Sequence, residues 1–162
     1  MEFYFMNQHR RALLKHFGSL GVMLGVAQSG LLLKTTHAFA AEWNKNAFES
    51  KAPTDVLKKL GITQLIESKD IVIKTPELAE NSSVVPIEVI SHIPHTKEIF
   101  IIVDKNPYPL TANFEISEWI EPVISTRIKM AQTSIVRVII KANNQFYGTQ
   151  KEVKITIGGC GS

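Results

Sequence analysis

Cys160 is the single cysteine among the 162 residues of the chain, and it stands in the segment Ile157-Gly158-Gly159-Cys160-Gly161-Ser162. A lone thiol has no intramolecular disulfide partner and no second sulfur for a CxxC redox pair or a cysteine-rich zinc site. No His, Asp or Glu lies between Val153 and Ser162, so neither a metal site nor a base-activated thiolate has local support. Prenylation requires the cysteine fourth from the end, and Cys160 is third. Walls for a buried structural thiol are missing too, because Gly158, Gly159 and Gly161 have no side chains and leave the backbone free. What remains is a thiol on a slender arm that carries a group covalently, activated by the enzymes that bind it. The five residues past the last strand span up to roughly 17 Å when extended.

Other chemistry-bearing residues are read more plainly. His92 and His95 flank Ile93-Pro94 with no carboxylate between them, the pattern of a solvated turn and not of a ligand pair. Arg127 and Lys129 alternate with Ile128 and Met130, which assigns them to a solvent or partner face of a strand. Trp119 is expected as a core or rim aromatic. No residue set calls for a cofactor or a metal.

Positioning the arm requires a folded body, and the first 40 residues are not part of it. Arg10-Arg11 precede Leu13-Leu14-Lys15, a glycine-diluted apolar stretch follows from 17 to 33, and Ala38-Phe39-Ala40 is a small-x-small cleavage signal before Ala41. This resembles a bacterial twin-arginine export signal, with His9 where Ser or Thr is common. The apolar stretch is about 17 residues, short of the about 20 that span a bilayer, so a stable membrane anchor is not expected. Residues 1–40 carry four basic side chains and one acidic, which accounts for the whole net charge of +3. The rest of the chain is balanced, which speaks against a nucleic-acid surface. The expected organisation is a signal over 1–40, a domain over 41–157 and the carrier arm over 158–162, with the mature protein in the periplasm.

Within the domain, Pro53 suits the first turn of a helix running to Leu60 and ending at Gly61. Beyond it, Val-, Ile- and Thr-rich runs at 70–74, 84–93, 97–104, 111–117, 123–130, 134–141 and 153–157 are separated by turn residues such as Asn106-Pro107 and Asn143-Asn144. The fold class is therefore all-β: an immunoglobulin-like antiparallel β-sandwich with a short N-terminal helix and a flexible glycine-rich C-terminal tail. Two strands are apolar on both faces, at 99–103 and at 135–140, where Arg137 is the one polar residue. A sandwich covers one face of each, so the other needs a protein partner, or else the 48–60 helix.

The ending Val153-Lys154-Ile155-Thr156-Ile157-Gly158-Gly159-Cys160-Gly161 resembles that of the SoxY family, sulfur-compound carriers of the Sox thiosulfate-oxidation system. The likeness extends to the twin-arginine leader, Ala79-Glu80-Asn81 before Val85-Pro86-Ile87, Asn106-Pro107 with Pro109-Leu110, and Thr126-Arg127-Ile128-Lys129. The family's usual last residue is glycine, where this chain has Ser162. The resemblance implies a carrier and not an enzyme, paired with a SoxZ-like β-sandwich subunit. It implies that a haem cytochrome joins thiosulfate to Cys160, a manganese-dependent sulfohydrolase releases sulfate, and a sulfane dehydrogenase acts on the remaining sulfur. A different class of function, an exported immunoglobulin-like adhesion or assembly domain, accounts for the export signal and the strands but not for the sole cysteine.

Overall fold

The computed structural model describes residues 44–156. Arg10, Arg11, Ala40, Ala41, Gly158, Gly159, Cys160 and Gly161 lie outside that range. The chain opens with a single turn, α1 (Lys45–Phe48), whose cap Asn44 accepts from the Ala47 amide at 3.1 Å and donates to the Lys59 carbonyl at 3.1 Å. Helix α2 (Pro53–Lys59) starts on the proline, as its fixed φ and missing N–H favour. It ends where expected: Gly61 takes φ +71, Ile62 donates to the Leu57 carbonyl and Gly61 to that of Lys58. This pair of bonds closes the last turn of a helix around a left-handed glycine.

Nine strands follow: β1 (Ile66–Glu67), β2 (Ile71–Lys74), β3 (Leu78–Ala79), β4 (Val85–Ser91), β5 (Thr96–Val103), β6 (Leu110–Glu115), β7 (Val123–Ile128), β8 (Ser134–Ala142) and β9 (Gln145–Ile155). They form an immunoglobulin-like sandwich of two sheets. The larger runs β1-β9-β8-β5-β6 with β3 also on β9, and the smaller runs β2-β4-β7. Alternation along each strand sends one set of side chains between the sheets. From the larger sheet come Ile99, Ile101, Val103, Val136, Val138 and Ile140, and from the smaller Val85, Ile87, Val89 and Ile128, all at most 3% exposed. Burying an Ile or Val of this kind stabilises by about 1.5–3 kcal/mol, so this layer supplies most of the driving force.

The second apolar face of β5 and β8 is covered by the chain itself, not by a partner. Phe100, Ile102 and Ile139 point away from the inter-sheet core and are buried at 2%, 0% and 1% exposure under Ala47, Val56 and Ile62 of the N-terminal helical segment. The residues that were surplus for one core thus complete a second one. The expectation that a partner protein covers this face is therefore corrected.

Two further differences have clear causes. Strand β9 begins at Gln145 rather than 153 because Asn143 and Asn144, with φ of 51° and 59°, form a two-residue hairpin turn. That turn zips β9 to β8 from Ala142↔Gln145 to Ser134↔Val153. Gly148, within β9, is a packing requirement: a Cβ there would meet the Leu65 side chain at 2.9–3.0 Å. Strands β1 and β3 have two residues each and exist only as parallel additions to the outer edge of β9.

Candidate functional site

Cys160 itself lies outside the described residues, so the site is defined by the strand that carries it. Strand β9 outlasts its neighbour. The last pair with β8 is Ser134↔Val153, and past it no backbone of β8 remains to receive the next amide. A side chain takes over: Ile155 donates its N–H to the Thr133 hydroxyl oxygen at 2.9 Å. On the other edge, Lys154 donates to the Glu77 carbonyl at 2.8 Å and Thr156 to the Ala79 carbonyl at 3.2 Å. Among the described residues the end of β9 is thus held on its β8 flank at Ile155 and on its β3 flank at Lys154 and at Thr156, which stands four positions before Cys160.

The loops around this exit are tied to one another. Asn106 donates its side-chain amide to the Lys129 carbonyl at 2.8 Å and accepts from the Ala131 amide at 2.9 Å. Met130 donates to the Ser82 carbonyl at 2.8 Å, and Lys105 to the Ser134 hydroxyl at 3.0 Å. Asn81 closes its own turn by accepting from the Ser83 amide at 2.9 Å. Next to this collar, Arg137 grips Asp104 with three contacts of 2.8–3.0 Å. Hydrogen bonding to Asp104 raises the guanidinium's pKa, partial burial opposes the rise, and the carboxylate's charge adds to it. The sequence segments around Ala79–Asn81, Asn106-Pro107 and Lys129 therefore meet at one end of the molecule, the end from which the arm leaves.

The histidines lie elsewhere. His92 and His95 are exposed and line an open cleft of about 980 Å³ together with Trp119, Ile120 and Asn143, the residue that turns β8 into β9. That places them at the opposite end of β8, nine residues or about 30 Å away. Among the described residues no three of His, Cys, Asp and Glu converge on a possible metal position. Arg127 and Lys129 are exposed, as their alternation suggests. Trp119 departs from its expected core or rim place and is 93% exposed. It sits in the β6–β7 loop, where Ile120 donates back to the Ser117 carbonyl at 3.1 Å and the turn projects the indole away from both cores.

Residues 57–160 match the family described as sulfur oxidation protein SoxY. This chain belongs to the SoxY family. Among solved structures, the sulfur carrier protein SoxY from Chlorobium limicola f thiosulfatophilum is 36% identical with a TM-score of 0.58, over 64% of this chain and 94% of that one. A superoxide reductase (neelaredoxin) from Ignicoccus hospitalis is 14% identical over 53% of this chain and 80% of its own, with a TM-score of 0.45, too slight a likeness to carry an argument. No curated protein matches the chain. The family match begins within α2 and ends on Cys160 itself, so it spans the sandwich, the exit collar and the arm. Thr133, Asn106 and the Ala79 carbonyl were not singled out as site residues by sequence reasoning. A threonine just before a strand and an asparagine in a turn are commonplace, and only the pairing register shows that both serve the exit.

Proposed function

We propose that this SoxY-family chain is a periplasmic carrier that holds thiosulfate-derived sulfur on Cys160 and presents it to separate enzymes. In the loading step the Cys160 thiol and thiosulfate form a sulfur–sulfur bond, giving a cysteine S-thiosulfonate, one proton and two electrons, which pass to a haem cytochrome. Water then cleaves the outer S–S bond on a manganese-dependent sulfohydrolase, releasing sulfate and leaving a persulfide for a sulfane dehydrogenase. Sulfur suits this work because S–S bonds exchange readily while holding the intermediate covalently. The observation that carries the reading is the extent of the family match, which runs to residue 160 and so takes in the lone thiol.

Export by the twin-arginine route, with cleavage before Ala41, belongs to the same reading and rests on Arg10, Arg11 and the 38–40 signal. So does a SoxZ-like β-sandwich partner. With the outer face of the larger sheet covered by α1 and α2, the partner's place is the small sheet's outer face. There Val72, Ile90 and Val123 lie side by side across the register, next to the exposed Ile120 and Trp119. A partner bound there leaves the arm free for the enzymes.

The test is the mass of the protein purified without reductant from thiosulfate-fed cells. We expect sulfur-bearing adducts confined to the peptide containing Cys160, and none on Cys160→Ser. A Cys160→Ser protein that sustains thiosulfate oxidation overturns the carrier reading.

A further inference from the structure

Among the described residues the outer flanks of the two sheets are not guarded alike. The outer edge of β9 is taken by β1 and β3. Strand β2 runs over four residues between the exposed Lys69 and Lys74, and β7 is entered from Pro122 and shows Arg127 on its surface. Coverage, short length, proline and basic charge are the usual means by which an edge is kept from pairing with another chain. Strand β6 pairs with β5 alone and carries no Lys, Arg or Pro over 112–116, the run Ala-Asn-Phe-Glu-Ile.

Its bonding to β5 says which backbone groups are free. Ile116 donates its N–H to the Lys97 carbonyl at 2.8 Å, and the register steps from there to Phe114 opposite Ile99 and Ala112 opposite Ile101. Residues between such bonded pairs turn their N–H and C=O the other way. Asn113 and Glu115 therefore present theirs to the open side. A register shift leaves Thr111 with no residue opposite it, and there the regular edge ends.

We propose that the open edge of β6 pairs with the same edge of a second copy of this chain, antiparallel about a two-fold axis at Phe114. Asn113 of each copy then exchanges N–H and C=O bonds with Glu115 of the other, so every outward group of both residues is satisfied. The side chains agree with this axis. On the outer face each Glu115 carboxylate lies opposite a neutral Asn113 amide. On the inner face the two Phe114 rings, half-buried at the rim of the core, lie side by side at the close, non-hydrogen-bonded position, and Ala112 lies opposite Ile116, small against large. An axis at Glu115 would set two carboxylates against each other, and one at Asn113 would call on Thr111 inside the register shift. A contact confined to 112–116 falls below the about 1,200 Å² of a lasting interface, so the pair is weak and reversible. Because the strands run antiparallel, the collar ends of the two copies point in opposite directions. Both small-sheet outer faces stay open for the partner subunit proposed above.

The experiment follows the full mature chain by sedimentation and amide hydrogen exchange from about 10 μM to about 1 mM, the range in which so small a contact associates. Reductant is present, so that Cys160 forms no disulfide. Mass should rise reversibly toward two chains, and exchange at the Asn113 and Glu115 amides should slow in step with it. Ala112 and Phe114, bonded to β5, should be protected at every concentration. Glu115→Pro removes an outward N–H that the single chain does not use, so it should keep the fold and weaken pairing about tenfold or more. Asn113→Asp, nearly unchanged in shape, sets a carboxylate opposite Glu115 of the other copy and should weaken pairing about two- to tenfold, and adding Glu115→Lys should restore it. A mass of one chain throughout, slow exchange at Asn113 and Glu115 already in the dilute chain, or charge variants that leave the pairing constant unmoved would each overturn the proposal. Saturation with the partner subunit should leave the pairing intact; its loss would assign this edge to the partner and remove the second copy.

Discussion

At the end where β9 finishes, Asn106, Ser134 and Thr133 bind the surrounding loops and the departing strand into one hydrogen-bonded collar. At the opposite end, Trp119 and Ile120 stand 93% and 63% exposed on a loop beside the turn at Asn143-Asn144, with two solvated histidines for neighbours. The first end spends polar groups on holding backbone still; the second leaves apolar groups uncovered. On the proposed carrier reading, a chain that delivers one thiol to several enzymes in turn needs the first where the arm begins, so that its root does not wander. It needs the second elsewhere, where a lasting contact does not obstruct the arm. The about 30 Å length of β8 keeps the two tasks apart.

The sharpest way to break this division is at the arm itself. Cys160→Ser should abolish thiosulfate-dependent electron transfer in a reconstituted system while shifting stability by no more than about 0.5 kcal/mol, as expected of a carrier thiol set among glycines in the sequence. A large fall in melting temperature would mean that the thiol belongs to the fold. At the far end, Trp119→Ala should weaken partner binding by about 2 kcal/mol, the scale of a buried aromatic anchor, with the isolated chain's melting temperature and the loading of Cys160 both unaltered. Titration calorimetry against the partner checks the first and adduct mass the second. Wild-type affinity in that variant would remove the partner from this end.

Asn106→Ala, back at the collar, should do the reverse: a stability loss of about 1 kcal/mol in urea unfolding, with partner affinity unchanged. The smallest effect is expected at Asp104→Asn, about 0.5 kcal/mol for a pair this exposed. Arg137 is raised above its unfolded value by Asp104. Its share of stability is therefore fully present below the ordinary arginine range and is lost only as pH climbs through the raised value. The difference between wild type and Asp104→Asn should accordingly stay level from roughly pH 6 to 10, and a slope across that interval in melting curves would assign the stabilisation to another group.

Much of the larger architecture is written in local chemistry. Pro53 and Gly61 mark α2 because each has a backbone requirement that few other residues meet, and the β-branched runs mark β2 and β4 to β8. The first half of β9 is obscure because Gln145, Thr149, Gln150 and Lys151 carry no apolar alternation, and Gly148 makes sense only once Leu65 is seen above it. The doubly apolar β5 signals that both faces are covered but not by what. That answer comes from Ala47 and Val56, whose small and branched side chains are unremarkable in the sequence. Of the candidate site, the lone thiol among glycines is a reading from local chemistry and lies outside the described residues. The collar was not legible, because Asn106 meets Lys129 and Thr133 meets Ile155 across 20 or more positions of chain.

The hairpin at Asn143-Asn144 also decides when the molecule can exist at all. Its two strands meet through a two-residue turn, and such a unit closes in about 1–10 μs once its chain is available. Yet among the described residues β8 and β9 come last of the strands in sequence, β8 lies in the middle of the larger sheet, and β1 and β3 pair only with β9. Synthesis of β5 therefore leaves a strand waiting for its second neighbour some 30 residues downstream, and the sheet closes only after β9 emerges. A polypeptide interrupted before residue 145 lacks the strand that both short additions require. Completion of the sandwich therefore waits for β9, the strand that leads toward Cys160.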